Sequence, residues 1–550
     1  MSARKFKPNE TVDFVIVGSG PAGSVMAREL SQAGFTVLVM EQGPRLTPSD
    51  FEHDELKYMF MHGITTDPAV SPQTFRRTSD VEAVQPSGNS PLVYARLVGG
   101  SGNHFTANFW RLHEIDFHER SVLGPISGTG FADWPITYQE LEPYYTKVDW
   151  EVGVSGLAGA SPFDPPRTKP YPMPPVAVKS SGVLLEQGAR KMGWHAFPAP
   201  LAITSQPYRG RPACVSCGFC WGFGCEVMAK SSPLYTMIPE AEETGRCEVR
   251  TESYVFRIGT NEKGRATGVH YFDKEKHEHF QKARAVVVSA NGAETPRLLL
   301  NSANAQFPDG LANSSGVVGK HLMFNHGVGV HAEFEHHLNE YKSVQATRVV
   351  HDFYDSDPKR GFYGGGGIDA RIGPQPIRWA LVSGRDFPWW GADLKARLEA
   401  FPRSMIAAGH CTSLAMERNS ISVDPKVTDG WGIPAIRVTY KDHPDDLKTA
   451  KFLQDRAYEI MDAAGAKKLY RADVAESTVA YHLLGTCRMG NDPATSVIDK
   501  YHRTHDVKNL FLCDGSSLVT SGRGQPTMTI QALAFRAAEH IGKFARRGEI

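Results

Sequence analysis

The chain has 550 residues, 41% of them hydrophobic and 22% charged, with 60 Lys and Arg against 60 Asp and Glu. That usage excludes disorder as the main state, and the zero net charge argues against a global polyanion-binding role and leaves only a local patch open, so no nucleic-acid partner is expected. No apolar run approaches the roughly 18 residues that span a bilayer, and 8 Cys are too few to staple a chain of this length.

At the N-terminus a few basic residues precede an apolar run of only Phe14 to Val17. That is no secretory signal, so the expectation is a cytoplasmic chain with reduced thiols. Export to the periplasm would need a partner subunit carrying its own signal. Residues 12–17, VDFVIV, read as a buried strand. The turn GSGPAG follows, then a helical stretch ending at Gly34, then the apolar strand FTVLVM closed by Glu41. In this βαβ unit Gly18 permits the tight turn, Gly20 lets a pyrophosphate approach the backbone, and Gly23 lets helix and sheet pack closely. Pro21 and Ala22 open the helix, whose N-terminus offers N–H groups to phosphate. Glu41, at the tip of the second strand, is placed to accept ribose hydroxyls. The pattern indicates a dinucleotide and leaves FAD and NAD both open.

Segments 50–90 and 120–230 read as loop or cap insertions. Between them lies a second glycine-rich stretch, YARLVGGSGNHFTANFW, with Gly99 and Gly100. Cys214, Cys217, Cys220 and Cys225 form C-x2-C-x2-C-x4-C. The first two spacings match a ferredoxin run, whereas the last is one longer and lacks the Pro. An iron–sulfur cluster, a four-thiolate zinc site and metal-free packing thiols are the three readings. AVVVSANGAETPRLLL reads as a strand, a turn at Asn291-Gly292 and a helix with Pro296 in its first turn. From 311 to 475, alternation such as HGVGVHAEF and AIRVTY predicts an antiparallel sheet. Within it, 353–400 is rich in Gly, Pro and aromatics and reads as loop or lid, with the pair Trp389-Trp390 suited to stacking on a substrate. Residues 476–550 give a strand, a loop and an amphipathic helix. The fold class is α/β: a Rossmann-like domain over 1–310, an interleaved α+β domain on an antiparallel sheet over 311–475, and a C-terminal return to the first domain over 476–550.

These pieces in this order are GSGPAG with Glu41, LVGGSGNHF, NGAETPRLLLNS, ERNSISVDPKVTDGWGIPAIRVTY, YHLLGTCRMGNDPATSVIDKYHRTHDVKNLFLCDGSSL and QPTMTIQALAFRAA. Together they resemble the glucose–methanol–choline (GMC) family of flavin-dependent oxidoreductases, in its sugar oxidase and dehydrogenase branch. The resemblance implies FAD as cofactor and oxidation of a CH–OH group of a sugar, glycoside or polyol, with an aliphatic or aromatic alcohol as the alternative. It implies that Asp514 and Gly515 approach the FAD pyrophosphate and ribityl, that Val255, Pro526 and Thr527 line the cofactor, and that Asn103, Thr106 and Asn108 meet the flavin edge. His104 falls at the position that some members bond covalently to the flavin; the alternative is an unbonded imidazole over the ring. Alcohol oxidation needs a base for the hydroxyl proton, and imidazole titrates near neutrality; the family position for it is His482. The second catalytic position, His or Asn in the family, is Gln525 here, which still donates and accepts hydrogen bonds. Its neighbour Arg523 is a further candidate, for an anionic substrate. The dehydrogenase branch carries an iron–sulfur cluster near the cysteine cluster, with different spacing. That leaves a second reading: an electron-transferring subunit that serves a small or cytochrome partner, or a quinone. The oligomeric state stays open.

Overall fold

The computed structural model describes residues 4–7, 9–87, 90–372, 375–381 and 387–550. The apolar run Val12–Val17 forms a fully paired central strand, hydrogen-bonded in parallel to Val37–Met40 on one side and to Glu278–Val288 on the other. Cys247–Arg250 pairs outside Val37–Met40, and the late strand Leu510–Leu512 pairs in parallel with the end of Glu278–Val288. The first half of Glu278–Val288 instead pairs antiparallel with Ala266–Phe272, which pairs with Tyr254–Thr260. The parallel strands therefore end together at Val17, Met40, Val288 and Leu512. A doubly wound sheet binds its ligand at that edge.

The helix Pro21–Gln32 leaves that edge and packs on the closing helix Pro526–Arg546. A second helix, Asn291–Asn301, leaves it beside the first. Pro296 lies at the sixth residue of that helix, not in its first turn, so its missing N–H leaves the Gly292 carbonyl without an intrahelical donor. The Thr486 hydroxyl, fully buried, supplies the bond at 2.7 Å.

The antiparallel sheet has six strands, in the order Lys468–Arg471, Gly327–Glu333, Ser404–Cys411, Gly366–Ile372, Ala346–Val350 and Ala196–Pro198. One face buries Ile368, Ala370, Met405 and Ala407 against the helices Ser180–Lys191 and Pro444–Ala463. Side chains alternate along a strand, so Asp369, Arg371 and His410 fall on the opposite face. The edge strand and one covering helix thus come from residues 180–198, which sequence patterning left among the insertions.

Two expectations need correction. HGVGVHAEF is in this sheet, but AIRVTY is in a separate three-stranded sheet, Ser420–Thr428, Pro434–Thr439 and Gln73–Arg76, whose last pairing is parallel. Alternation reports a half-buried strand, not its partner. The stretch 353–400 is not all loop: it supplies the strand Gly366–Ile372 and the helices Pro376–Leu381 and Gly391–Glu399. Glycines at 364–367 fit there because Cβ atoms on Gly365 and Gly366 would lie 2.1 and 1.8 Å from backbone oxygens. Residues 373–374 and 382–386 of that stretch lie outside the described residues. No helix among the described residues is long and apolar enough to cross a membrane.

Thr486→Val keeps shape and removes the donor to Gly292. It should destabilise the fold by about 1–3 kcal/mol, read as a lower denaturation midpoint, whereas Thr486→Ser should stay close to the natural chain.

Candidate active site

The turn after the first strand is built as its glycines require. Gly18 has φ +96°, and a Cβ there would meet the Ser289 carbonyl oxygen at 2.5 Å; one on Gly23 would meet the Gly18 carbonyl oxygen at 2.0 Å. Gly20 differs: nothing lies within 4 Å of its Cβ position. The backbone there borders open space at a helix N-terminus, which suits a phosphate. A cleft runs from this turn past Pro21, Ala22, Glu41, Gly100 and Val255 to Asp514, Gly515, Pro526 and Thr527. Glu41 accepts from the Ser19 hydroxyl at 2.6 Å and from the Gly43 N–H at 3.0 Å. Ser19 Oγ in turn accepts the Gly99 N–H at 3.0 Å. The acid thus ties the two glycine-rich stretches together while it lines the cleft. Burial raises its pKa, and the Ser19 and Gly43 bonds work against that.

Gly99 (φ +92°) and Gly23 lie behind this wall, as supports. Asn103 does too, against expectation. Its amide donates to the Val98 and Gly100 carbonyls at 2.9 Å each, and its Oδ1 accepts the Ser232 hydroxyl at 2.6 Å. The side chain is consumed in holding the loop and leaves nothing for a flavin edge.

A second cavity of about 430 Å³ adjoins the cleft, lined by His104, Thr106, Asn108, His482 and Gln525 among others. His482 and Thr527 line both spaces. His482 Nδ1 lies 3.1 Å from Asn325 Oδ1. The Asn325 NH2 group faces the carbonyls of Cys411 and Gly522 at 3.1 and 3.2 Å, so the oxygen is the atom left for the imidazole. Nδ1 therefore carries the hydrogen, and Nε2 keeps its lone pair. Desolvation, then the neighbouring His410 and Arg371, push the His482 pKa down to about 3. The imidazole is neutral at physiological pH, well below the near-neutral value its residue type implies.

Gln525 Nε2 lies 3.3 Å from His410 Nδ1. His410 bonds Asp369 at 2.8 Å through Nε2 and also contacts Arg371; Asp369 further takes Asn108 Nδ2 at 3.0 Å and Arg371 Nε at 2.7 Å. Burial pushes the Asp369 carboxyl up, but Arg371 and His410 outweigh it and hold it below the usual carboxylate range. No motif flagged Asn325, Asp369, Arg371 or His410. The one available signal was the i, i+2 placement of Asp369 and Arg371 in a Gly-rich strand. Arg523, offered by its place beside Gln525, is fully buried in ion pairs with Asp116 and Glu119 and lines neither space. Trp389 and Trp390 are 51% and 84% exposed and line neither space.

His104 is buried, its Nε2 has no hydrogen-bond partner, and burial and then Lys230 push its pKa down to about 4. Its carbonyl accepts the Gly222 N–H at 3.1 Å, which joins it to the cysteine loop. There Cys214, Cys217, Cys220 and Cys225 line one small cavity. Backbone N–H groups of Ser216 and Lys230 lie 3.4 Å from the sulfurs of Cys214 and Cys225. The Lys230 ammonium, 2% exposed, donates to the carbonyls of Phe105, Cys220 and Phe223 at 2.7–3.0 Å. Burial lowers the Lys230 pKa, and Cys220, Cys225 and Cys217 work against that. Burial raises the Cys220 thiol to about 12. Among the described residues no group of three or more His, Cys, Asp or Glu is arranged to hold a single metal ion.

Family models described as GMC oxidoreductase match residues 12–327 and 415–534. The 2-methyl-1,2-propanediol dehydrogenase of Mycolicibacterium austroafricanum is 36% identical, over 97% of this chain and 96% of that protein. The fructose dehydrogenase large subunit of Gluconobacter japonicus is 31% identical, over 98% and 100%. The gluconate 2-dehydrogenase flavoprotein of Pantoea cypripedii is 28% identical, over 96% and 93%. Among solved structures, formate oxidase of Aspergillus oryzae RIB40 matches with a TM-score of 0.67 at 15% identity, over 99% of this chain and 100% of that one, a likeness of fold.

Gly20→Val places a side chain in open space at φ −65°, which valine tolerates. The chain should fold with an unchanged circular dichroism spectrum yet retain at least about tenfold less dinucleotide, because the added methyls occupy the phosphate position. Bound-cofactor absorbance per mole of protein measures this.

Proposed function

The chain belongs to the GMC oxidoreductase family, FAD enzymes acting on alcohol and sugar CH–OH groups, and from that membership we propose a dehydrogenase of sugars, glycosides or polyols in which His482 is the general base. The observation that carries this is the Asn325–His482 bond: it commits Nδ1 and leaves Nε2 unprotonated on the wall shared by the cleft and the cavity. The residues suit FAD. The open backbone at Gly20 serves its pyrophosphate, Glu41 its ribose and Asp514-Gly515 its centre, while His104, Thr106 and Asn108 line the space for its ring. FAD bound there would supply the acceptor for the hydride of the carbinol carbon. His482 Nε2 takes the hydroxyl proton, and Asn325 Oδ1 faces the resulting imidazolium through Nδ1–H. Gln525, held by His410, orients the substrate oxygen; the Asp369–Arg371 pair fixes His410.

His104 lines the cavity and its buried Nε2 has no hydrogen-bond partner, which leaves that nitrogen available for a covalent flavin link. The cysteine loop favours a cluster over zinc or bare packing. A buried ammonium beside four thiols calls for negative charge there, N–H groups already face two sulfurs, and the ligands are not drawn around one point. Cluster assembly requires loss of thiol protons that burial otherwise retains. The Gly222–His104 bond would join the loop that holds such a cluster to the residue beside the flavin, and the cluster would supply a route for electrons to a cytochrome-bearing partner or a quinone.

Flavin bleaching under anaerobic conditions by sugars, polyols or simple alcohols, followed by reoxidation with air or quinone, tests the reading. His482→Ala should lower turnover by about two to four powers of ten; near-normal rates would remove it as the base. Because burial holds His482 neutral until about pH 3, kcat/KM should stay level from pH 8 to 5 and fall only nearer pH 4. Asn325→Asp puts a carboxylate against Nδ1, favours the protonated ring and should move that fall upward by at least about one pH unit. Iron and sulfide content with paramagnetic resonance decides the cluster: iron-free anaerobic protein sinks it. Acid precipitation of the same sample leaves colour in the pellet if His104 carries the flavin.

A further inference from the structure

Among the described residues one guanidinium lines the catalytic cavity, and it belongs to Arg378. It sits in the short helix Pro376–Leu381, whose Ile377 and Arg378 N–H groups donate to the buried Glu55 carboxylate at 3.0 and 2.7 Å. The side chain is fixed as well: its Cζ lies 3.7 Å from the centroid of the Trp221 ring. Among the described residues its only hydrogen bond is to the Met59 sulfur at 3.4 Å, a weak acceptor. The Glu55 oxygens are occupied by main-chain N–H groups, and no Asp or Glu among the described residues lines this cavity. The wall therefore presents one fixed positive charge with most of its donors unused, in the space that holds His482 and Gln525.

We propose that the alcohol oxidised here is a hydroxy acid whose carboxylate is held by Arg378. The proposal rests on the reading of His482 as base at this cavity, and it goes further by assigning the substrate's second functional group. A planar guanidinium with free donors matches a carboxylate in a bidentate pair. Among the described residues no Lys or second Arg stands beside it on the cavity wall, and one guanidinium matches a monoanion better than a phosphate dianion. His104 and His482 are neutral and add no charge. In the reaction the carbinol carbon gives a hydride, two electrons with one proton, to FAD, and the hydroxyl proton goes to His482. The carboxylate is unchanged and the product is the oxo acid.

The test uses the flavin-loaded full chain with a dye acceptor and substrate pairs matched in skeleton and differing in charge: lactate against 1,2-propanediol, glycerate against glycerol, gluconate against glucitol. The acid of an oxidised pair should have the higher kcat/KM. Arg378→Gln should lower that value by roughly 10- to 100-fold while changing the neutral partner by less than about threefold. Arg378→Lys, which keeps the charge and loses the planar fork, should fall between. Propionate should inhibit competitively, propionamide should not, and Arg378→Gln should lose the propionate inhibition. Preference for the neutral member of each pair, or an equal loss on both members in Arg378→Gln, would overturn the anion site and leave the alcohol-oxidising reading intact. Failure of every alcohol to bleach the flavin would overturn both.

Discussion

One buried carboxylate determines where the two ends of this chain meet. Asp514 accepts the Asn291 N–H at 3.1 Å and the Thr295 hydroxyl at 2.6 Å from the helix Asn291–Asn301 that follows Glu278–Val288, and the Ser516 N–H at 2.8 Å from its own turn. Burial raises its pKa, and the bonds from Thr295, Ser516 and Asn291 oppose that. With the turn and helix held so, the Leu483 carbonyl fits between them only because both neighbours are glycine. A Cβ on Gly292 would lie 2.0 Å from that oxygen and one on Gly515 2.5 Å. His482 precedes Leu483, so its position follows from this wedge. A carboxylate left unpaired there would carry its full desolvation penalty.

The electrostatics around the site follow one pattern. Each carboxylate near it is engaged: Glu41 by Ser19 and Gly43, Asp369 by Arg371, His410 and Asn108, Asp514 by the helix start. The imidazoles meanwhile are pushed towards neutrality by burial. A neutral acceptor in a region without free anions stays ready for a proton across a wide pH range. The cysteine loop shows the reverse arrangement, a buried Lys230 side chain held by three backbone carbonyls beside thiols whose protons burial retains.

Sequence made the nucleotide half legible because backbone geometry dictates residue type there. Gly18 and Gly23 are required by close approach, and the order strand, glycines, helix, strand, acid has few other uses. Family order then pointed to His482 and Asp514, and the clustering of four Cys within twelve residues singled out the cysteine loop. The substrate half was less legible. Asp369, Arg371 and His410 come together through strand register between segments some 40 residues apart, and a strand's pattern does not name its partner; the misassigned AIRVTY strand shows the same limit. Asn103 and Arg523 were misread for a different reason. Adjacency along the chain to Gly100 and to Gln525 says nothing about where a side chain points, and both point into the protein. The pair Trp389-Trp390 had the right chemistry for a sugar and the wrong address.

The seven-stranded sheet takes a strand from each end of the chain, and that sets an order of events during biosynthesis. Leu510–Leu512 and the helix Pro526–Arg546 are made after the antiparallel sheet, which is by then free to fold. Until then Glu278–Val288 has an open edge and the Gly18–Gly23 turn has no lid. A chain cut before residue 510 would therefore carry a sheet with an unprotected, aggregation-prone flank.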